Sequence, residues 1–139
     1  MRKWSWIFAL ATLVALPAFA QSDFPDLRGV WKGNSESIVS GTADPHHGGT
    51  PTTPPHYNSV PFTFTIDKQD GRRFEGTFVS PRQTESVIGV LSRTGEIYFV
   101  DTDGYAFAHL LAPNRMESCY LEVNQTGRVA SCVELVKQP

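Results

Sequence analysis

The chain has 139 residues, with twelve Lys and Arg against fourteen Asp and Glu, 40% hydrophobic residues, ten Pro, eleven Gly and two Cys. This is the profile of one small globular domain, and it is too poor in cysteine to be a disulfide scaffold. The slightly acidic balance lacks the basic footprint that nucleic-acid binding requires.

Residues 1–20 read as a Sec-type export signal. Arg2 and Lys3 precede an apolar stretch from Trp4 to Leu16, Pro17 breaks it, and Ala18-Phe19-Ala20 supplies an A-x-A cleavage site before Gln21. The apolar run is shorter than the roughly 20 residues of a membrane-spanning helix, so no membrane insertion is expected after cleavage. Cleavage leaves 119 residues with ten Lys and Arg against fourteen Asp and Glu, a net charge of −4. Such a chain buries about two-thirds of its unfolded surface, enough for a real core. The expected location is periplasmic or secreted, with residues 21–28 as an N-terminal arm and 29–139 as one domain.

Beyond the arm the chain breaks into short segments punctuated by Gly, Asp, Asn and Pro, with no apolar repeat at helical spacing. A first strand is expected over 29–39, carrying Trp31, and a long loop over 40–59. Val60, Phe62, Phe64 and Ile66 then alternate with Pro61, Thr63, Thr65 and Asp67, giving one buried and one polar face. After the turn signal Lys68-Gln69-Asp70-Gly71, a segment over 72–80 sets Phe74 and Phe78 opposite Arg73, Glu75 and Thr77. Gly76 between the two aromatics implies a bend or a close neighbour. Further strands are expected over 86–92, 96–101 and 105–111, each bounded by turn chemistry. The spacing predicts an all-β, small antiparallel up-and-down barrel of about eight strands, with a sandwich as the alternative.

The last two segments, 116–123 and 128–136, flank Asn124-Gln125-Thr126-Gly127 and form a hairpin. If Val123 faces Arg128, Cys119 stands directly opposite Cys132, within reach of a disulfide. Pairing is the simplest state for two cysteines in an exported chain. A redox pair would instead take the form C-x-x-C at a helix start.

The long loop holds Asp44, His46, His47 and His56, residue types that collect zinc, copper or nickel, although adjacent histidines on extended backbone do not readily face one ion. Loops of this length act as lids or are disordered. Gly48 and Gly49 would let this one hinge over a barrel mouth, while Pro51, Pro54 and Pro55 stiffen its return. His109 falls in a strand on the face of Tyr105, Phe107 and Leu111, which reads as a core or lumen position. Tyr98, Tyr120, Glu36 and Glu122 are further polar groups on expected strands. No G-x-S-x-G elbow is present, and Asp101 with Asp103 reads as turn chemistry, so no catalytic residue and no cofactor is assigned.

Asp26-Leu27-Arg28-Gly29-Val30-Trp31-Lys32-Gly33 resembles the opening of calycin barrels, the lipocalin and avidin group, whose first strand begins with G-x-W. Gly71-Arg72-Arg73-Phe74-Glu75-Gly76-Thr77-Phe78 is similar to the avidin-type hairpin. The resemblance implies that Trp31 closes the base of the barrel against a basic side chain. Thr102-Asp103-Gly104 departs from the lipocalin T-D-Y motif, and one tryptophan in the mature chain does not make a biotin box.

The leading expectation is an exported, non-enzymatic barrel that binds a small apolar or aromatic molecule inside. Trp31, Tyr98, Phe107, His109 and Tyr120 are its candidate ligand contacts, and Phe62, Phe64, Phe74, Phe78, Phe99 and Phe107 its walls. The alternative is an exported interaction protein. It resembles the small barrels of the metalloprotease-inhibitor family, which insert an N-terminal segment into a protease cleft. A small molecule or a protein is therefore the expected partner.

Overall fold

The computed structural model describes residues 24–42 and 45–139. The expected export signal over 1–20, residues 21–23 of the expected arm, and Asp44 lie outside the described residues. Within them the chain forms nine β-strands: β1 (Gly29–Gly41), β2 (His56–Asn58), β3 (Pro61–Asp70), β4 (Arg73–Val79), β5 (Thr84–Leu91), β6 (Ile97–Val100), β7 (Tyr105–Ala112), β8 (Arg115–Val123) and β9 (Gly127–Lys137).

Strands β3 to β9 follow one another as antiparallel neighbours, β1 pairs with β3, and β1 also pairs with β9. Eight strands thus close into an up-and-down barrel, which fits a calycin-like fold at a coarse level. The ninth, β2, lies in the stretch expected as loop. It pairs with Ser37, Ile38 and Val39 of β1, beyond the point where β3 leaves that edge. The expected turn at 68–71 is narrower in the structure, because β3 runs on to Asp70 through a bulge between Ile66 and Lys68. One extra residue in β3 bends the strand and increases its twist, a common device at barrel rims.

Closure divides every strand into an inner and an outer row. Phe62, Phe64 and Ile66 of β3 point inward, as do Phe74 of β4 and Phe99 of β6, and their rings form one cluster. Phe78 joins it, 4.7 Å from Phe62 and 5.3 Å from Phe64 between ring centroids. So many rings leave space only for small groups on the facing strands, and β7 presents Ala106 and Ala108 to the interior. At Gly76 a Cβ would lie 2.0 Å from the Thr65 carbonyl oxygen, so the absence of a side chain is what lets β3 and β4 approach.

The base is sealed by the residues just before β1. Leu27 is fully buried, and its backbone N–H donates to Gln69 Oε1 at 2.8 Å. The Gln69 amide nitrogen donates in turn to the Pro25 carbonyl at 2.9 Å. Trp31, also fully buried, donates its indole N–H to the Leu27 carbonyl at 2.9 Å, and Lys137 Nζ lies 5.3 Å from the Trp31 ring centroid. Tryptophan under the barrel and a basic side chain against it match the arrangement that the G-x-W resemblance implies. Residues 24–28 are therefore anchored to the barrel rather than extended from it.

The closing hairpin has the expected register from Arg115↔Val136 to Val123↔Arg128, and Cys119 and Cys132 form a disulfide on the outer wall. It closes a loop of sequence separation 13, for which restriction of the unfolded chain contributes about 3 kcal/mol. The double variant Cys119→Ser, Cys132→Ser should lose about 2–4 kcal/mol in denaturant unfolding under non-reducing conditions. An unchanged midpoint would contradict the staple.

Candidate functional site

The interior is apolar at one end and polar at the other. Trp31, Leu91, Ile97, Met116 and Leu135 fill the base. Toward the mouth the same inward rows carry Ser35 and Ser37 of β1, Glu85 of β5, Ser118 and Glu122 of β8, and Ser131 of β9, all buried. Strand alternation places them there: Ser35 and Ser37 have the parity of Trp31 and Val39, and Glu85 that of Val87 and Leu91.

Over this polar end lies the loop between β1 and β2. A turn at 45–47 drives both His46 and His47 into the barrel, where they are 4% and 8% exposed. His46 bridges two walls: Nδ1 is 2.7 Å from Ser80 Oγ and Nε2 is 3.0 Å from Glu85 Oε2. Its ring meets Phe62 edge-on at 5.2 Å and Phe78 at 6.5 Å. His47 Nε2 is 3.0 Å from Ser37 Oγ, which is hydrogen-bonded to Ser131 Oγ at 2.8 Å and to Ser35 Oγ at 3.0 Å. Ser35 Oγ also accepts the Val60 N–H at 3.0 Å. The chain returns through Gly48 and Gly49, with φ of +71° and +131°, conformations that glycine adopts without strain. It is tied to the rim where Gly41 N–H donates to the Thr53 carbonyl at 2.9 Å.

With the histidines in place, a residual cavity of about 30 Å³ remains between the two rings, Phe62, Phe78, Phe99 and Tyr120. That is room for a water molecule or two, not for a ligand. The surroundings are acidic. Burial raises the pKa of Glu85 and the neighbouring charge of Asp101 raises it further; the charge and hydrogen bond of His46 act the other way, and Asp103 adds to the rise. Tyr120 O–H donates to Asp101 Oδ1 at 3.3 Å, and that oxygen also accepts the backbone N–H groups of Asp103 and Gly104.

Ser80, His46 and Glu85 stand in the order of a hydrolase triad, but Ser80 Oγ accepts the N–H groups of Arg82 and Gln83, at 3.2 and 3.3 Å. Those donors bind the hydroxyl itself, not a site where an oxyanion would form, and the serine is buried. The cluster reads as an anchorage for the loop.

Of the ligand contacts expected from sequence, Tyr120 lines this chamber and Trp31 forms the floor far below it. Tyr98, Phe107 and His109 lie on the outer wall, where Tyr98 is 40% and Phe107 45% exposed. Both faces of β7 are apolar, and the larger residues face out because the phenylalanine cluster already fills the inside. His109 Nε2 lies 3.8 Å from Glu117 on that outer face and is not a lumen group. Nor do the loop histidines converge on a metal: His46 and His47 take different walls, and His56, on β2, bonds the Pro54 carbonyl at 3.1 Å. Among the described residues no group of three His, Cys, Asp or Glu is placed to hold an ion. Glu85, Ser80, Ser37 and Ser131 were missing from the sequence-derived candidates, although strict alternation within β1, β5 and β9 marks all but Ser80 as inward polar groups.

No protein-family model matches the chain, and no curated protein or solved structure matches it.

The raised pKa of Glu85 means that the folded protein holds this proton more tightly than the unfolded chain. Its contribution to stability is full below the ordinary glutamate range and is lost as pH rises through the folded value. Glu85→Gln should remove that loss, so melting temperatures of variant and parent should diverge in the variant's favour as pH rises from acid toward neutral. Parallel profiles would show that the buried carboxyl carries no such cost.

Proposed function

We propose that this is an exported binding protein whose chamber takes a small, flat heteroaromatic ligand bearing hydrogen-bond donors, with the loop over 45–55 as its lid. The observation that carries this reading is the buried pairing of the His46 ring with Glu85 and Ser80, edge-on against Phe62 and Phe78. A barrel of this size is more easily filled with apolar side chains than with a carboxyl, several hydroxyls and two imidazoles, because each buried polar group must find a partner. In the closed form the lid supplies those partners. A ligand that displaces the lid would need the same features as an imidazole: an aromatic plane for the phenylalanines, a donor for Glu85 and a second polar atom for Ser80.

The loop has the attributes of a lid. Two left-handed glycines sit directly after the inserted histidines, and prolines stiffen the returning arm. Export is supported by the leader at residues 1–20 and by a disulfide of the kind that persists in oxidising compartments.

Benzimidazole is a suitable probe, since it has a flat ring system, one N–H and one acceptor nitrogen. Titration calorimetry should show saturable binding to the unmodified protein, tighter binding to His46→Gly, and loss of binding in Glu85→Leu. Binding to His46→Gly alone would show that a cavity can be made but that the loop does not open, and the lid reading would fall.

A further inference from the structure

The outer wall divides as sharply as the interior. On β3 and β4 its rows are polar, with Thr63, Thr65, Asp67, Arg73 and Glu75 facing out. Across β5 to β8 they are largely apolar, with Thr84, Ser86, His109, Arg115 and Glu117 toward the strand ends. Val90, Tyr98 and Phe107 stand in register and lead to the Cys119–Cys132 disulfide. Ile88, Val100, Tyr105 and Leu121 form the adjacent row. These seven side chains are between 38 and 64% exposed. With full surfaces of about 150–250 Å² for the aromatic residues and somewhat less for the aliphatic ones, these seven side chains expose roughly 550 Å². That is at the upper end of the roughly 300–600 Å² of the largest patch on a typical monomer and supplies about two-thirds of the ~800 Å² that each partner contributes to a stable protein interface.

We propose that this wall is the interface of a homodimer, with a second copy of the chain as its occupant. The centre of the patch has the composition of an interface core, aromatic and free of charge, while charged groups stand at its rim: the His109–Glu117 pair on one side, Lys68–Glu75 on the other. A patch without net charge is complementary to itself, as a twofold contact requires. The aromatic groups are already ordered, since the Phe107 ring meets Tyr98 edge-on at 5.9 Å and Tyr105 edge-on at 5.4 Å, so little side-chain freedom is lost on docking. Toward β4 the patch runs into an open groove of about 780 Å³ bounded by Lys68, Arg73, Glu75, Ile88 and Tyr98, which gives the contact relief. A lipid-facing barrel would carry its apolar band around the whole circumference over a polar lumen. Here β3 and β4 are polar outside and the base of the lumen is apolar.

Sedimentation equilibrium of the purified protein tests this directly. The expected result is twice the chain mass with a dissociation constant in the micromolar range or tighter. Phe107→Lys and Tyr105→Lys should each weaken the dimer by ~tenfold or more without lowering the monomer's melting temperature, because both side chains are exposed. Thr65→Lys, on the opposite wall, should leave the dimer intact. A chain that stays monomeric at high micromolar concentration, including one whose wall binds a different protein, overturns the proposal. So does a dimer that Phe107→Lys leaves unchanged or that Thr65→Lys disrupts equally.

Discussion

Pairing of β1 with β9, from Trp31↔Lys137 at the base to Gly41↔Gly127 at the mouth, removes both long edges of the sheet and fixes which side chains share the interior. An open sheet of these strands would leave a row of unpaired N–H and C=O groups, and its two faces would have no obligatory difference. Once the edges meet, one row of every strand is committed to a narrow lumen. Ser37 is set opposite Ser131, and Trp31 is brought under the phenylalanine cluster with Lys137 against its ring. The polar mouth, the apolar base and the position of the histidine loop all follow from that one seam.

The seam also explains why the interior and the outer wall each have two characters. At the base, Leu27, Trp31 and Gln69 close the lumen with hydrogen bonds, and among the described residues no buried side-chain nitrogen or oxygen lacks a partner. At the mouth closure is supplied by a separate loop, whose imidazoles complete the hydrogen bonding of Glu85, Ser80 and Ser37. As the proposed lid, this loop is held by those contacts, by the packing of His46 and His47 against Phe62 and by the Gly41–Thr53 hydrogen bond, and its opening would leave the strand pairing intact. On the outside, β3 and β4 carry polar rows and β5 to β8 largely apolar ones, so the proposed ligand chamber at the mouth and the proposed contact wall are different surfaces of one barrel.

Much of the fold was legible in the sequence because its signals are local. Alternation over 60–66, Gly and Asp at turns, and the Asn124–Gly127 hairpin mark strands and register without reference to the rest of the chain, and the opposed cysteines follow from that register. The short strand β2 was not legible, since His56-Tyr57-Asn58 has no periodicity and pairs only because β3 leaves that part of β1 unpaired. The site was less legible for the same kind of reason. Tyr105, Phe107 and His109 alternate with Ala106, Ala108 and Leu110, and only the crowding by Phe64 and Phe99 decides that the smaller set faces in. The partnership of His46 with Ser80 and Glu85 joins residues 34 and 39 positions apart, which no local pattern reports.

As the proposed lid, the loop over 45–55 opens while the barrel stays folded. Native-state hydrogen exchange followed amide by amide tests it, because the Gly41 N–H is bonded to the Thr53 carbonyl and the Thr53 N–H to the Thr50 carbonyl, whereas the amides of β8 and β9 are bonded within the sheet. A lid predicts that the Gly41 and Thr53 amides exchange through an opening whose free energy lies well below that of global unfolding, and that benzimidazole changes their rates and not those of β8 and β9. Exchange of Gly41 and Thr53 only at the rate of the most protected barrel amides would mean that the loop is a permanent plug, and would contradict the account.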